Sequence, residues 1–195
     1  ELNGHAEIRF HTIGTDPKDG RVIHEATGDP TRFIGATLSR DGRFLVLSHR
    51  HGWSSIDVWF RDFEAADEPG DGPVPGSRPL VVGRQHNYEV KPWRDALYVW
   101  TDENAPAGRV LKVDPRSPDR EAWRQIVPES DATLRGFQVI GDHLVLSYLR
   151  NARSELRVCD LEGRPLREIE LPGLGSTAGL IGEPDEDEAW FHYSS

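Results

Sequence analysis

Methionine is missing from this sequence altogether, and cysteine occurs once, at Cys159. A single thiol cannot close an intrachain disulfide, which excludes a stapled secreted scaffold. No Asn-x-Ser/Thr acceptor occurs either. These absences favour a reducing, cytoplasmic setting, while a periplasmic or secreted parent is compatible with the same residues. The apolar runs are no longer than a strand, and Glu1-Leu2-Asn3-Gly4-His5 has neither a basic start nor an apolar stretch. Nothing therefore reads as a membrane span or a signal peptide. Lysine is confined to Lys18, Lys91 and Lys112, and no arginine run stands clear of neighbouring Asp and Glu. With 33 acidic against 23 basic residues the net charge is -10. A field of that sign repels phosphate backbones and anionic lipid, so neither nucleic acid nor membrane is expected as a partner. The missing methionine, and a final Tyr193-Ser194-Ser195 that falls inside a strand pattern, read as marks of a segment cut from a longer chain.

What the sequence does contain is a strand signature that recurs. It appears as Asp41-Gly42-Arg43-Phe44-Leu45-Val46-Leu47, Asp95-Ala96-Leu97-Tyr98-Val99-Trp100, Asp142-His143-Leu144-Val145-Leu146 and Asp187-Glu188-Ala189-Trp190-Phe191. Aligning Leu45, Leu97, Leu144 and Trp190 gives steps of 52, 47 and 46 residues. Four strands fit in each step, which is the sequence form of a β-propeller blade. Helical periodicity is absent, so the expected class is all-β, in blades of four antiparallel strands.

Turn chemistry divides the chain further. Glu7 to Gly14 and Arg21 to Ala26 read as two strands around Thr15-Asp16-Pro17-Lys18-Asp19-Gly20, forming the outer strands of one blade over residues 1–28. Complete blades follow over residues 32–84, 85–129 and 132–172, and residues 174–195 supply two inner strands of a further blade. The total is about four blades' worth. In the first complete blade, strands are expected at Ala36 to Ser39, Arg43 to Arg50, Ile56 to Phe63 and Leu80 to Gly83, with Arg40-Asp41-Gly42 as a hairpin turn. The stretch Glu64 to Pro79, with four prolines and three glycines, reads as a mobile surface loop.

Candidate chemistry is sparse. No Gly-x-Ser-x-Gly elbow occurs, and no βα units exist to carry a Ser, Asp and His set, so no catalytic residue is expected. His49 and His51 fall on one face of a strand, but no third ligand is spaced to complete a zinc site, and hydrogen-bonded histidines are the better account. His11 and His24 are placed across a strand pair. Pro184-Asp185-Glu186-Asp187-Glu188 lacks calcium-loop spacing and reads as a polar hairpin turn. Pro172-Gly173-Leu174-Gly175-Ser176 leads into no helix and reads as a tight turn rather than a phosphate loop. No metal and no cofactor are therefore expected. Trp59, Trp100 and Trp190 lie within strands and are expected to fill space between blades. Trp53 differs, because it follows Gly52 in a polar stretch between strands, where an exposed aromatic can serve recognition.

Several segments resemble one family. Arg9-Phe10-His11-Thr12-Ile13-Gly14-Thr15-Asp16, then Gly20-Arg21-Val22-Ile23-His24-Glu25, then Leu38-Ser39-Arg40-Asp41-Gly42-Arg43-Phe44-Leu45-Val46 are similar to the propeller of prolyl oligopeptidases. Ser48 to Val58 and Ile169 to Ser176 continue the likeness, and Gly52-Trp53-Ser54 with Leu171-Pro172-Gly173-Leu174-Gly175 favours the prolyl branch over oligopeptidase B. The resemblance implies the middle of a seven-bladed propeller. It also implies that an α/β-hydrolase catalytic domain of the same parent chain is its partner and that short proline-containing peptides are its substrates. The propeller would gate access by size, and the segment alone would be inactive. Positions matching Ile34, Arg50 and Trp53 are implied to line the substrate cavity. Exposed edge strands are expected to favour association. Two other readings stand beside this one: a free-standing propeller that binds a protein partner, and a glycosidase-type propeller with paired carboxylates, for which only Glu89 is suitably placed.

Overall fold

The computed structural model describes residues 6–65 and 70–195. Glu1 to His5, and residues 66–69 of the proline-rich stretch, lie outside the described residues. The chain forms two compact units, Glu1–Tyr88 and Glu89–Ser195.

In the first unit, β1 (Ile8–Phe10) pairs antiparallel with β2 (Arg21–His24). The connection ends in a 3-10 turn at Pro17–Asp19, capped where the Asp16 carboxylate accepts from the Lys18 amide at 2.9 Å. A four-stranded antiparallel sheet follows in chain order: β3 (Arg32–Leu38), β4 (Phe44–His51), β5 (Ser55–Asp62) and β6 (Arg78–Val81). Phe44 and Val46 on β4 face the same way as Ile56, Val58 and Phe60 on β5, and all five are buried. This is what period-two alternation of β-branched and aromatic residues produces. The turn between β3 and β4 is held by Ser39, whose hydroxyl accepts from the Phe44 amide at 2.8 Å.

Three details depart from expectation. The first strand stops at Phe10 rather than Gly14, because Thr12 to Thr15 closes a turn in which the Thr15 amide donates to the Thr12 carbonyl at 3.2 Å. The third strand starts four residues earlier than Ala36, so Ile34 lies inside it. The second half of the proline-rich stretch is built rather than free. Val74 and Ser77 are buried, the Ser77 hydroxyl donates to the Val74 carbonyl at 2.6 Å, and Arg61 Nη1 donates to the Pro75 carbonyl at 2.8 Å. Low overall hydrophobicity did not prevent one valine and one hydroxyl from anchoring it.

The second unit carries two four-stranded antiparallel sheets. One comprises β7 (Tyr88–Trp93), β8 (Ala96–Thr101), β9 (Arg109–Val113) and β10 (Arg124–Val127). The other comprises β11 (Thr133–Ile140), β12 (His143–Arg150), β13 (Arg153–Asp160) and β14 (Pro165–Ile169). A final hairpin pairs β15 (Ser176–Gly182) with β16 (Ala189–Ser194). The core joins Tyr98 and Val110 of one sheet to Leu134, Phe137, Leu144 and Leu146 of the other. At about 25 cal/mol per Å² of apolar area removed from water, such packing is the main stabilising term. The turn before β12 is pinned by Asp142, which accepts from Trp93 Nε1 at 2.6 Å and pairs with Arg94. In the β13–β14 turn, Gly163 holds a φ of +80°, and a Cβ there would lie 2.0 Å from the Ile126 carbonyl oxygen on β10.

The tryptophans divide. Trp100 packs on the core and donates from Nε1 to the Leu134 carbonyl at 3.0 Å, while Trp59 is half-buried. Trp190 does not fill an interior: it is 71% exposed on β16. Its sheet has only two strands, and among the described residues no further sheet covers that ring.

Candidate functional site

The β4–β5 hairpin carries two of the three expected site residues, Arg50 and Trp53. His51 ends β4, Ser55 begins β5, and the Ser54 amide donates to the His51 carbonyl at 3.3 Å across the connection. Gly52 supplies the positive φ, +58°, that this reversal needs, with open space on its Cβ side. Trp53 is thereby lifted to the crest of the turn, 93% exposed. Arg50 is also exposed, and among the described residues its guanidinium has no hydrogen-bond or ion-pair partner.

Strand register separates the third residue from these. Ile34 pairs with His49, whereas Arg50 pairs with Phe33 and Ile56. Directly opposed residues share a face and neighbours in sequence do not. Ile34 is therefore at the same end of the sheet as Arg50 but on its other face, half-buried. The residue beside Arg50 is Phe33, 60% exposed, which sequence reasoning missed because it began the strand at Ala36.

On the Ile34 face lies a second group. His24 and His49 meet through their Nε2 atoms at 2.7 Å, and the His49 ring lies 4.6 Å from that of Trp59. His51 Nε2 contacts Asp57 Oδ2 at 2.8 Å, and Asp57 Oδ1 accepts from the Gly83 amide at 2.7 Å. His49 and His51 thus share a face as expected, yet each is engaged by a different partner. Among the described residues, no group of three or more His, Cys, Asp or Glu is arranged to hold a metal. His24 lies opposite Ile8 rather than His11, since β1 ends before His11. Burial, followed by the charges of His24 and Arg32, lowers His49 to about 4, with Asp57 acting the other way.

The second unit has its own cavity of about 410 Å³, lined in part by Glu89, Arg135, Gln138 and Ser147. Glu89 pairs there with Lys91 at 2.8 Å, and among the described residues it is the one carboxylate that lines the cavity. The Pro184 to Glu188 run closes the β15–β16 hairpin, where the Glu186 amide donates to the Glu183 carbonyl at 3.2 Å.

Successive antiparallel sheets of four strands, joined by short turns and carrying exposed chemistry at a hairpin crest, define a β-propeller protein. The profile of the family described as prolyl oligopeptidase, N-terminal beta-propeller domain, matches residues 1–195, and the chain belongs to that family. It is similar to the prolyl endopeptidase of Elizabethkingia meningoseptica, with 26% identity over 190 residues, 97% of this chain and 26% of that protein. Prolyl oligopeptidase A of Amanita bisporigera is 26% identical over 189 residues, 95% of this chain and 24% of that one. A solved structure from work on two prolyl endopeptidases and the role of inter-domain dynamics superposes with a TM-score of 0.89 at 44% identity, covering 98% of this chain and 27% of that one. Prolyl oligopeptidase B of Galerina marginata, at 22% identity and a TM-score of 0.82, shares the fold. The chain spans about a quarter of the length of these relatives.

Proposed function

We propose that this chain is the propeller part of a serine endopeptidase that cleaves short peptides after proline, working in the cytoplasm as a size filter for an α/β-hydrolase domain of the same parent. The observation that carries the reading is the family profile matched over residues 1–195 in a sequence that contains no Gly-x-Ser-x-Gly. Bond cleavage, through an acyl-enzyme, belongs to the hydrolase. The propeller contributes exclusion: a narrow entry admits flexible peptides and turns folded proteins away.

Within that reading the β4–β5 crest faces substrate. Trp53 offers a rigid aromatic surface to apolar side chains, and the unpartnered Arg50 offers donors to peptide carbonyls. Ile34, half-buried behind them, forms wall rather than contact. The strand edges of the two-stranded sheets, with Phe10, Ile181 and Trp190 exposed, favour self-association of the isolated chain. Light scattering over a concentration series checks that point, and a monomer throughout contradicts it.

The test of function uses the whole parent protein. W53A and R50A are each expected to raise KM for proline peptides roughly tenfold with kcat little changed. Unchanged KM in both removes the crest from the substrate site. A parent polypeptide with no hydrolase domain overturns the peptidase reading and leaves a protein-binding propeller.

A further inference from the structure

The His24–His49 contact has a proton arrangement that the geometry dictates. His24 Nδ1 lies 2.5 Å from the Glu25 carbonyl oxygen, which can only accept, so His24 carries its proton on Nδ1. Its Nε2 is then a bare lone pair in the neutral ring, and the 2.7 Å contact requires His49 to donate from Nε2. One further proton can be accommodated, either on His49 Nδ1 with the bond kept, or by reversing the bond, His24 donating and His49 accepting with its own proton moved to Nδ1. Two further protons cannot, because both Nε2 atoms then carry hydrogen and face each other.

The surroundings oppose charge as well. Both rings are only 7% exposed. From β3, the Arg32 cation bears on His49; from β4, His51; from β5, Asp57; and from β2, His24 itself. Asp57 is the one anion among them, and it is already engaged by His51 and the Gly83 amide. Arg32 Nε is buried with no hydrogen-bond partner among the described residues, so an added neighbouring cation finds no compensating acceptor among them. Trp59 closes the remaining side of His49 with an apolar ring.

We propose that this pair is an acid-operated latch between two sheets: its double protonation on acidification frees the β1–β2 hairpin, which carries His24, from the β3–β6 sheet, which carries His49. The direction of the linkage follows. His49 takes its proton near the ordinary 6.5 when unfolded and only at about 4 when docked. Its contribution to stability is complete above the higher value, declines as pH falls between the two, and is gone below the lower one. No ligand or partner is required, since the latch responds to protons alone.

Hydrogen exchange on the full chain, corrected for intrinsic rates, tests this. Backbone amides of Arg21 to His24 are expected to lose protection about tenfold or more between about pH 7 and about pH 4, while those of His143 to Arg150 in the second unit keep theirs. His49→Gln keeps a donor near the position of Nε2 and does not titrate. It is expected to hold the hairpin protected at the lower pH. Equal protection of the wild-type hairpin at both pH values overturns the latch, as does the same acid loss in H49Q. Should H49Q not fold, wild-type hydrogen exchange and deuteration at the imidazole C2 of His49 decide together: loss of Arg21 to His24 protection over the pH range in which His49 takes its proton supports the latch, and loss at a pH where His49 is still neutral, or none where it is protonated, overturns it.

Discussion

Leu144 and Leu146 on β12 are shut off from solvent inside the core of the second unit. Truncating Leu144 to alanine removes three carbons and leaves a void that rigid sheets do not collapse into, with an expected loss of about 2–5 kcal/mol in denaturant unfolding. Cys159, on the neighbouring strand β13, is buried beside the same leucines. Burial, and then the adjacent Asp160 carboxylate, push its thiol pKa up. A thiol held protonated is a poor nucleophile, so a disulfide reagent is expected to label Cys159 at the rate of unfolding and not faster. Burst labelling under native conditions would contradict the core assignment. At this scale the sequence was partly legible. The alignment of Leu45, Leu97, Leu144 and Trp190 found two residues that are fully buried and one that is largely exposed, because the pattern marks position within a strand while burial needs a covering sheet.

Elements were easier to read than contacts. Alternation and turn residues marked an all-β chain of four-stranded antiparallel sheets, since both signals are local. Glycine at Gly35 and the absence of alternation hid the start of β3, and with it Phe33. The His24–His49 contact joins β2 to β4 and could not be seen from spacing at all, because nothing along the chain specifies which ring a histidine 25 positions away will meet. A salt bridge shows how an element depends on such pairings. Arg43, at the start of β4, grips Asp62 at the end of β5 through two bonds of 3.0 and 2.9 Å. Burial raises the Asp62 pKa, but these bonds, together with the Glu64 and Ala65 amides, outweigh it and bring it below the usual carboxylate value. R43A leaves that sheltered carboxylate with its backbone amides but without its cation, and an expected loss of about 1.5–3 kcal/mol follows. The loss should vanish in strong acid, where Asp62 is protonated in both variants; a difference that persists there would assign it to packing alone.

For the whole molecule, charge sets behaviour in solution. A sequence pI near 5.2 and a net charge of -10 at neutral pH predict a solubility minimum slightly on the acid side. They also predict no retention on heparin at low salt, and binding there would require a basic surface that the sequence gives no sign of. Acid should weaken the fold in two stages. The His49 contribution fades between 6.5 and about 4, and that of Asp62 goes later, as pH falls through its lowered value. Thermal melts at successive pH values would reveal the order, and a melt insensitive to pH across the upper window would contradict the histidine assignment. The propeller class was legible at this scale because repetition survives divergence; the hydrolase partner proposed above was legible only through resemblance.

The bare backbone of Gly163, lying against the Ile126 carbonyl, works as a gauge. Any side chain there would have to push β10 away by about an ångström, more than close packing absorbs without losing contacts on both flanks. The gap between the two four-stranded sheets of the second unit is thus bounded at one corner by main chain meeting main chain. Core residues can be exchanged for others of similar volume without moving that limit. Divergent sequences would then keep a constant sheet spacing while their interiors change, provided this one position never acquires a carbon.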